Sequence, residues 1–429
     1  MIIHKNNILI AAVVLSLFGS SCAGTEAQRP KGNQVRVIGE QGKWQLLVND
    51  QPFVLKGVGV GRAKSRDGKV DFLAMAKDLG ANMVRTWGID QGDQFYLDQA
   101  HRYGLYVDAG IWLQPAIPGY KESISYVSDK KYRAKAQREA LDYVRRYRDH
   151  PAVLIWNVGN EVIYWTPDEN ERVAFCQFLE KLIQEIHQID PEHPVMYTTA
   201  WTTAVPYIKK YVPSLDILGL NLYGGIELAH QEVVAQLDLP YIVTEYGPVG
   251  PWDVLKDSLG QSLEPSDESK TYYYKQATQT ITRLNGYCLG GFAFYLGDTN
   301  QVSSTWWNMN HLGYRKMAFW AMKEMYTGEK PPAAFPAIRD LRLSPAHGLK
   351  PGQEFSMTVQ LREPIPVSTR FEYFASTARE IYGLEEYPNT EIPLIIQGQG
   401  PQVTALAPQA PGLYRVYAVA VDENGNAST

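Results

Sequence analysis

From about residue 45 the sequence repeats one unit, a short apolar run followed by an amphipathic stretch. The runs lie at 53–58, 82–86, 105–111, 152–158, 195–199, 217–221, 241–245 and 291–295. Between them, residues 70–79, 94–103, 131–147, 169–189 and 270–284 space their apolar side chains three and four apart, the period of a helix with one buried face. Runs this short and this apolar suit strands covered on both sides. Eight strands alternating with helices over about 285 residues predict an α/β fold, a closed (β/α)8 TIM barrel rather than an open sheet. No GxGxxG or Walker loop follows an early strand, which argues against a nucleotide-binding sheet.

The alternation stops at Pro331, Pro332 and Pro336. Beyond it, alternating runs at 355–361, 370–374 and 412–421 stand between Gly, Pro and Asn turns without helical periodicity. Residues 335–429 are therefore expected to form a small all-β sandwich of immunoglobulin-like type. The barrel domain is expected over 35–334, entered through a hairpin in which 35–37 and 44–48 flank Gly42.

Ahead of these lies an address. Lys5 precedes an apolar stretch at 8–18 that is too short to span a bilayer, and Gly19-Ser20-Ser21 lead to Cys22. Residues 1–22 read as an export signal. Small residues before a cysteine resemble a bacterial lipobox, although Gly19 stands where Leu is usual. The resemblance implies lipid attachment at Cys22, a polar tether over 23–34, and a protein held to the membrane of the bacterial cell envelope, facing the periplasm or the cell surface.

Composition removes several classes of partner. The 429 residues carry a net charge of -5 with no Lys/Arg run, so no nucleic-acid partner is expected. None of the three cysteines sits in a CxxC spacing, and His101 and His311 have no ligand-spaced partners. Cys176 and Cys288 are expected in the core, and neither a metal nor another cofactor is expected. Ten Trp and 27 Tyr remain to be explained. Such rings pack cores, and they also bind sugars.

In a barrel of this kind the reactive groups stand at the C-terminal ends of the strands. Those ends carry Arg85-Thr86-Trp87, Gly159-Asn160-Glu161, Thr199-Ala200-Trp201, Asn221-Leu222-Tyr223, Thr244-Glu245-Tyr246 and Tyr295, with Trp306 and Trp307 in the loop after the last strand. A single Glu after a strand is usually an ion-pair or capping residue. Two of them, Glu161 and Glu245, amid amide, phenol and indole groups, match glycoside hydrolysis, which needs one carboxylic acid and one carboxylate on either side of the bond to be cut.

The stretch from His150 to Glu161, HPAVLIWNVGNE, closely resembles the fourth-strand motif of glycoside hydrolase family 2 barrels. Thr244-Glu245-Tyr246-Gly247 resembles their seventh-strand motif, GANMVRT at 80–86 the second, and PFVLKGV at 52–58 the first. The resemblance covers about residues 45–325 and extends to the wider clan A of these enzymes. It implies a β-glycosidase that retains anomeric configuration, with Glu161 as acid/base, Glu245 as nucleophile, and the two carboxyl groups about 5–5.5 Å apart. Members usually carry a jelly-roll domain and a sandwich ahead of the barrel, where only a hairpin is expected here. The last strand ends Phe292-Ala293-Phe294-Tyr295 in place of the usual Trp-rich sequence. Residues 85–90 (RTWGID) and 159–163 (GNEVI) also resemble β-1,3-glucanosyltransferases of the same clan.

The expected substrate is a β-linked poly- or oligosaccharide. A β-glucan transglycosylase and a non-catalytic glycan-binding lipoprotein are the alternatives. Among the supporting residues, Arg85 can orient the nucleophile, Asn160 the sugar 2-hydroxyl, and Tyr223 can donate to Glu245. Asn221, Tyr295, Trp201, Trp306 and Trp307 complete the expected substrate-binding set, with core packing the plainer alternative for each Trp. Trp87, Trp112 and Trp165 are weaker candidates for the same role.

Overall fold

The computed structural model describes residues 32–88, 93–120, 123–299, 301–366, 368–377 and 391–429. The expected export signal, Cys22 and most of the tether lie outside the described residues, as does Asp90.

Eight parallel strands close the barrel: β1 (Leu55–Gly59), β2 (Met83–Arg85), β3 (Tyr106–Ile111), β4 (Val153–Asn160), β5 (Val195–Ala200), β6 (Ile217–Asn221), β7 (Tyr241–Tyr246) and β8 (Cys288–Ala293). Each pairs with the next, and β8 pairs with β1 through Gly290–Leu55 to Ala293–Val58. The strands are buried almost throughout; in β4 only Asn160 is not fully covered. β8 ends two residues short of Tyr295, so that residue belongs to the loop above the barrel.

The covering helices begin where short polar side chains cap them. Asp71, Asp129, Asp168 and Ser266 each accept the backbone N–H three residues on. Helix Glu169–Ile189 buries Phe175, Cys176, Phe178, Leu179, Leu182, Ile183 and Ile186 against the barrel. Each such side chain contributes roughly 1.5–3 kcal/mol when taken out of water. Cys176 and Cys288 are both buried free thiols, and burial pushes each up to about 12.

The expected hairpin forms from Val35–Ile38 and Gln45–Val48, antiparallel, and closes the N-terminal end of the barrel. There Val35, Leu46 and Val48 pack on Leu55, Met83, Ile155, Met196, Ile217, Ile242 and Phe292, the lowest inward side chains of the strands.

Residues beyond 337 form an all-β domain of two sheets. Ile338–Ser344, Glu354–Leu361, Gln402–Leu406 and Ile396–Gln397 make one sheet. Thr369–Thr377, Tyr414–Asp422, Asn426–Ser428 and Glu391–Pro393 contribute to the other. That second sheet does not stop at the proline boundary. Tyr314–Lys316, from the loop after β8, pairs in parallel with Asn426–Ser428, so the two domains share a sheet.

Candidate active site

The end of β4 is bent so that its carboxylate turns over the barrel mouth. Gly159 has φ 87°, and a Cβ there would lie 3.3 Å from the Tyr197 ring. Glu161 itself adopts φ 57°, heading the short helix Val162–Trp165. A side-chain-bearing residue is strained in that conformation and persists only where its surroundings hold it. The Glu161 N–H donates to the Thr198 carbonyl at 2.8 Å, its Oε1 accepts Asn221 Nδ2 at 2.7 Å, and its Oε2 accepts Trp165 Nε1 at 2.8 Å. Trp165 reaches back because four residues bring it round one helical turn.

The second glutamate follows an interruption of the β6–β7 register between Val243 and Glu245, a common device for aiming a side chain beside a site. Glu245 is 7% exposed. Its Oε1 accepts Arg85 Nη1 and Trp87 Nε1, each at 2.7 Å, and its Oε2 accepts the Tyr223 hydroxyl at 2.7 Å. Charge-assisted bonds of this kind fix the plane of a carboxylate.

Arg85 ties the two sides together. It is 0% exposed, and a buried cation persists only when paired and hydrogen-bonded. Besides Glu245 it donates from Nη2 to Asn160 Oδ1 at 2.7 Å and from Nη1 to the Thr244 carbonyl at 3.1 Å. Its Nε lies 3.5 Å from Asp108 Oδ2. Asn221 Nδ2 also reaches Asn160 Oδ1, at 3.2 Å, so Glu245, Arg85, Asn160, Asn221 and Glu161 form one connected network.

Two acids of that network are raised by their surroundings. Burial and the repulsion of Glu245 push the Glu161 carboxyl up to about 7, against the bonds from Asn221 and Trp165. Burial likewise raises Asp108 to about 7, partly offset by Arg85 and by Asn157 Nδ2 at 3.0 Å. Burial and Glu245 keep Tyr223 a neutral donor.

Most of the side chains expected from the strand ends meet here. Asn160 uses its oxygen for Arg85 and Asn221, which leaves its amide nitrogen as the end available to a ligand. Asn221 is committed within the protein, its Oδ1 accepting Thr244 Oγ1 at 2.8 Å, so it positions Glu161. Tyr295 is partly exposed beside Trp87, 5.7 Å between ring centroids. Trp201 is partly exposed with φ 52°.

Trp306 and Trp307 require correction, because neither presents a ring face to a sugar. Trp306 is 0% exposed and donates its indole N–H to the Val249 carbonyl at 3.0 Å. Trp307 is 3% exposed and packs behind Tyr223 and Phe294, at 5.8 and 5.7 Å. Conversely, Trp87 and Trp165 are direct donors to the two glutamates, and Asp108 stands behind Arg85. The signal for Asp108 was present as the one acid within the apolar run 105–111. Among the described residues no group of three or more His, Cys, Asp or Glu side chains is arranged to hold a metal ion.

Residues 40–274 match the family described as glycosyl hydrolases family 2, TIM barrel domain. The β-glucuronidase of Chlorocebus aethiops is 28% identical over 225 residues, 47% of this chain and 32% of that protein. The β-galactosidase of Leuconostoc mesenteroides is 27% identical over 206 residues, 45% of this chain and 18% of that protein. The chain thus spans about a third or less of the length of these curated relatives. Among solved structures, the β-D-glucuronidase of Dictyoglomus thermophilum superposes with a TM-score of 0.53 at 19% identity, covering 69% of this chain and 54% of that one. The family 2 β-galacturonidase of Eisenbergiella tayi superposes with a TM-score of 0.53 at 16% identity, covering 69% and 54%. Likeness at such identity speaks for the fold alone. The family 2 barrel domain accounts for more than half of the residues, and the chain belongs to glycosyl hydrolase family 2.

Proposed function

We propose that this protein is a retaining β-glycosidase that hydrolyses β-linked oligo- or polysaccharides by double displacement. The observation that carries the reading is the unequal treatment of two carboxylates in one network. Glu161 is raised to about 7 and so holds a proton near neutrality, whereas Glu245 faces a guanidinium, an indole N–H and a phenol.

In the first step a Glu245 carboxylate oxygen bonds to the anomeric carbon as the bond to the leaving oxygen breaks, and Glu161 gives that oxygen its proton. In the second, Glu161, now a carboxylate, takes a proton from water. The water oxygen bonds to the anomeric carbon, the ester to Glu245 breaks, and both acids return to their starting states. The Asn160 amide nitrogen would hold a hydroxyl of the reacting sugar, and Trp87 and Tyr223 would fix the nucleophile. The names of the relatives, β-glucuronidase and β-galactosidase, concern β-linked sugars.

The test is a screen of aryl β-glycosides, including glucuronide, galactoside, glucoside, mannoside and xyloside, followed by trapping with the 2-fluoro analogue of whichever is cut. A covalent adduct on Glu245, with first-formed product of unchanged anomeric configuration, is expected. An inverted product overturns the mechanism, and turnover of no β-glycoside overturns the function. We also propose export and lipid attachment at Cys22, tested by fatty-acid labelling that Cys22→Ser removes. The all-β domain is read as immunoglobulin-like.

A further inference from the structure

The loop between β7 and helix Asp267–Arg283 is long and folds as an arm beside the site. Lys256 and Ser262 form an antiparallel bridge, the Leu263 N–H donates to the Leu255 carbonyl, and Asp257 accepts the N–H groups of Leu259 and Gln261. The arm is anchored at its base. Buried Ser262 donates to the Pro251 carbonyl at 2.8 Å, and Arg415 of the all-β domain donates to the Ser262 carbonyl at 2.9 Å. Glu264 takes Lys270 Nζ, Thr305 Oγ1 and Ser303 Oγ at 2.6–2.9 Å.

This base holds one indole at the mouth of the barrel. Trp252 is 51% exposed. A single exposed aromatic side chain needs no explanation. This one, however, is folded onto Gly250 so closely that a Cβ there would lie 2.2 Å from the ring. It stands edge to face with Tyr223, at 5.9 Å and 83°, and 6.5 Å from Trp307. Tyr223 is the side chain bonded to Glu245, so Trp252 continues the wall of the site outward by one ring. Trp201, after β5, is held in the same way: a Cβ on Gly225 would lie 2.7 Å from its ring. Trp165, Trp201, Tyr223 and Trp252 thus follow β4, β5, β6 and β7 in turn.

We infer that Trp252, with Trp201, is a binding platform for pyranose rings of the substrate beyond the ring being cut, so the ligand is a chain of sugars rather than a single residue on a small aglycone. The inference rests on the glycosidase reading. A pyranose offers an apolar C–H face, and an indole fixed beforehand loses little freedom in covering it. Neither Trp252 nor Trp201 touches the reacting carboxylates, so their contribution grows with chain length.

The experiment compares kcat/KM on cello-, laminari-, xylo- and manno-oligosaccharides of two to six residues with kcat/KM on the matching aryl monoglycoside. In the wild type, kcat/KM in the series that is cut is expected to rise with length. Trp252→Ala should remove roughly tenfold of that gain on the longer chains, chiefly through KM. Trp252→Phe keeps a ring face and should keep most of the gain, which separates loss of the platform from loss of fold. Gly250→Ala should repeat the loss by displacing the ring. A wild-type enzyme that cuts the monoglycoside with no preference for longer chains overturns the platform, as does an equal loss by Trp252→Ala at every length. Failure to cut any β-glycoside overturns the glycosidase reading itself.

Discussion

At the N-terminal end of the barrel the strands turn Leu55, Met83, Ile155, Met196, Ile217, Ile242 and Phe292 inward, under a hairpin that adds Val35, Leu46 and Val48. At the other end the same strands deliver Arg85, Asp108, Asn160, Asn221, Thr244 and Glu245, joined by hydrogen bonds and ion pairs. Asn157 and Thr198 extend this polar chain down into the barrel, with Thr198 Oγ1 donating to Asn157 Oδ1 at 3.0 Å and Asn157 to Asp108. One end resembles any domain core. The other buries charges that stabilise only as a complete set, since removing one member leaves its partner uncompensated. Substitutions at the charged end should therefore cost turnover as well as stability, whereas those in the apolar plug should cost stability alone.

The largest effect belongs to the nucleophile. Glu245→Gln keeps the volume of the side chain but cannot form the glycosyl ester, so kcat on the best aryl β-glycoside should fall by at least roughly 10^4-fold. A loss smaller than tenfold would remove Glu245 from the chemistry and erase the contrast between the ends. Glu161→Ala should follow, at about 10^2- to 10^4-fold on substrates with poor leaving groups. On an activated aryl glycoside the first step needs no proton, so added azide should recover part of the rate by replacing the water that Glu161 activates. Azide without effect would contradict the assignment of Glu161 as acid/base.

The opposite end supplies the converse. Met196→Ala, at a fully buried position of the apolar plug, should cost about 2–5 kcal/mol in urea unfolding. The folded fraction should keep its kcat within about twofold, because the Met196 side chain belongs to the apolar cluster and makes no hydrogen bond or ion pair to the two glutamates. A large loss of kcat in protein shown to be folded would mean that the plug holds the site in register.

How far the sequence foretold this arrangement differs along the same lines. Strands and helices were legible because burial on both faces, or on one, writes its period into the apolar residues. Glu161 and Glu245 were legible as positions because barrel geometry delivers the ends of β4 and β7 to one rim. The indoles were not. Trp306 and Trp307 sit in a loop, where no period tells an enclosed ring from an open one, and both turned inward. Trp165 and Trp87 touch the carboxylates only because one helical turn and one strand end bring their N–H groups round. The sheet shared between the domains, Tyr314–Lys316 beside Asn426–Ser428, joins segments about a hundred residues apart, a separation that local patterning does not register.

The smallest effect tests the electrostatics of the charged end directly. Glu161 is raised to about 7 from an ordinary carboxylate near 4.5, so between those values the folded protein binds a proton that the unfolded chain has released. Stability falls as pH rises through that window, and above it the ionised, partly buried carboxylate is a standing cost of the fold. Glu161→Gln cannot ionise. The hydrogen bonds of its amide on the Asn221 and Trp165 side do not change with pH, so all the pH dependence of the difference comes from the wild-type carboxyl. The melting temperature of the variant minus that of the wild type should therefore rise between pH 4 and pH 8, whatever its sign at pH 4. Asp108, also raised to about 7, is present in both proteins and largely cancels from the difference. In the same window the wild-type kcat/KM should decline on the alkaline side near pH 7, as the proton that Glu161 donates is lost. A melting difference that stays constant with pH would mean that Glu161 ionises in the fold as readily as in the unfolded chain, and the alkaline limb would then need another owner.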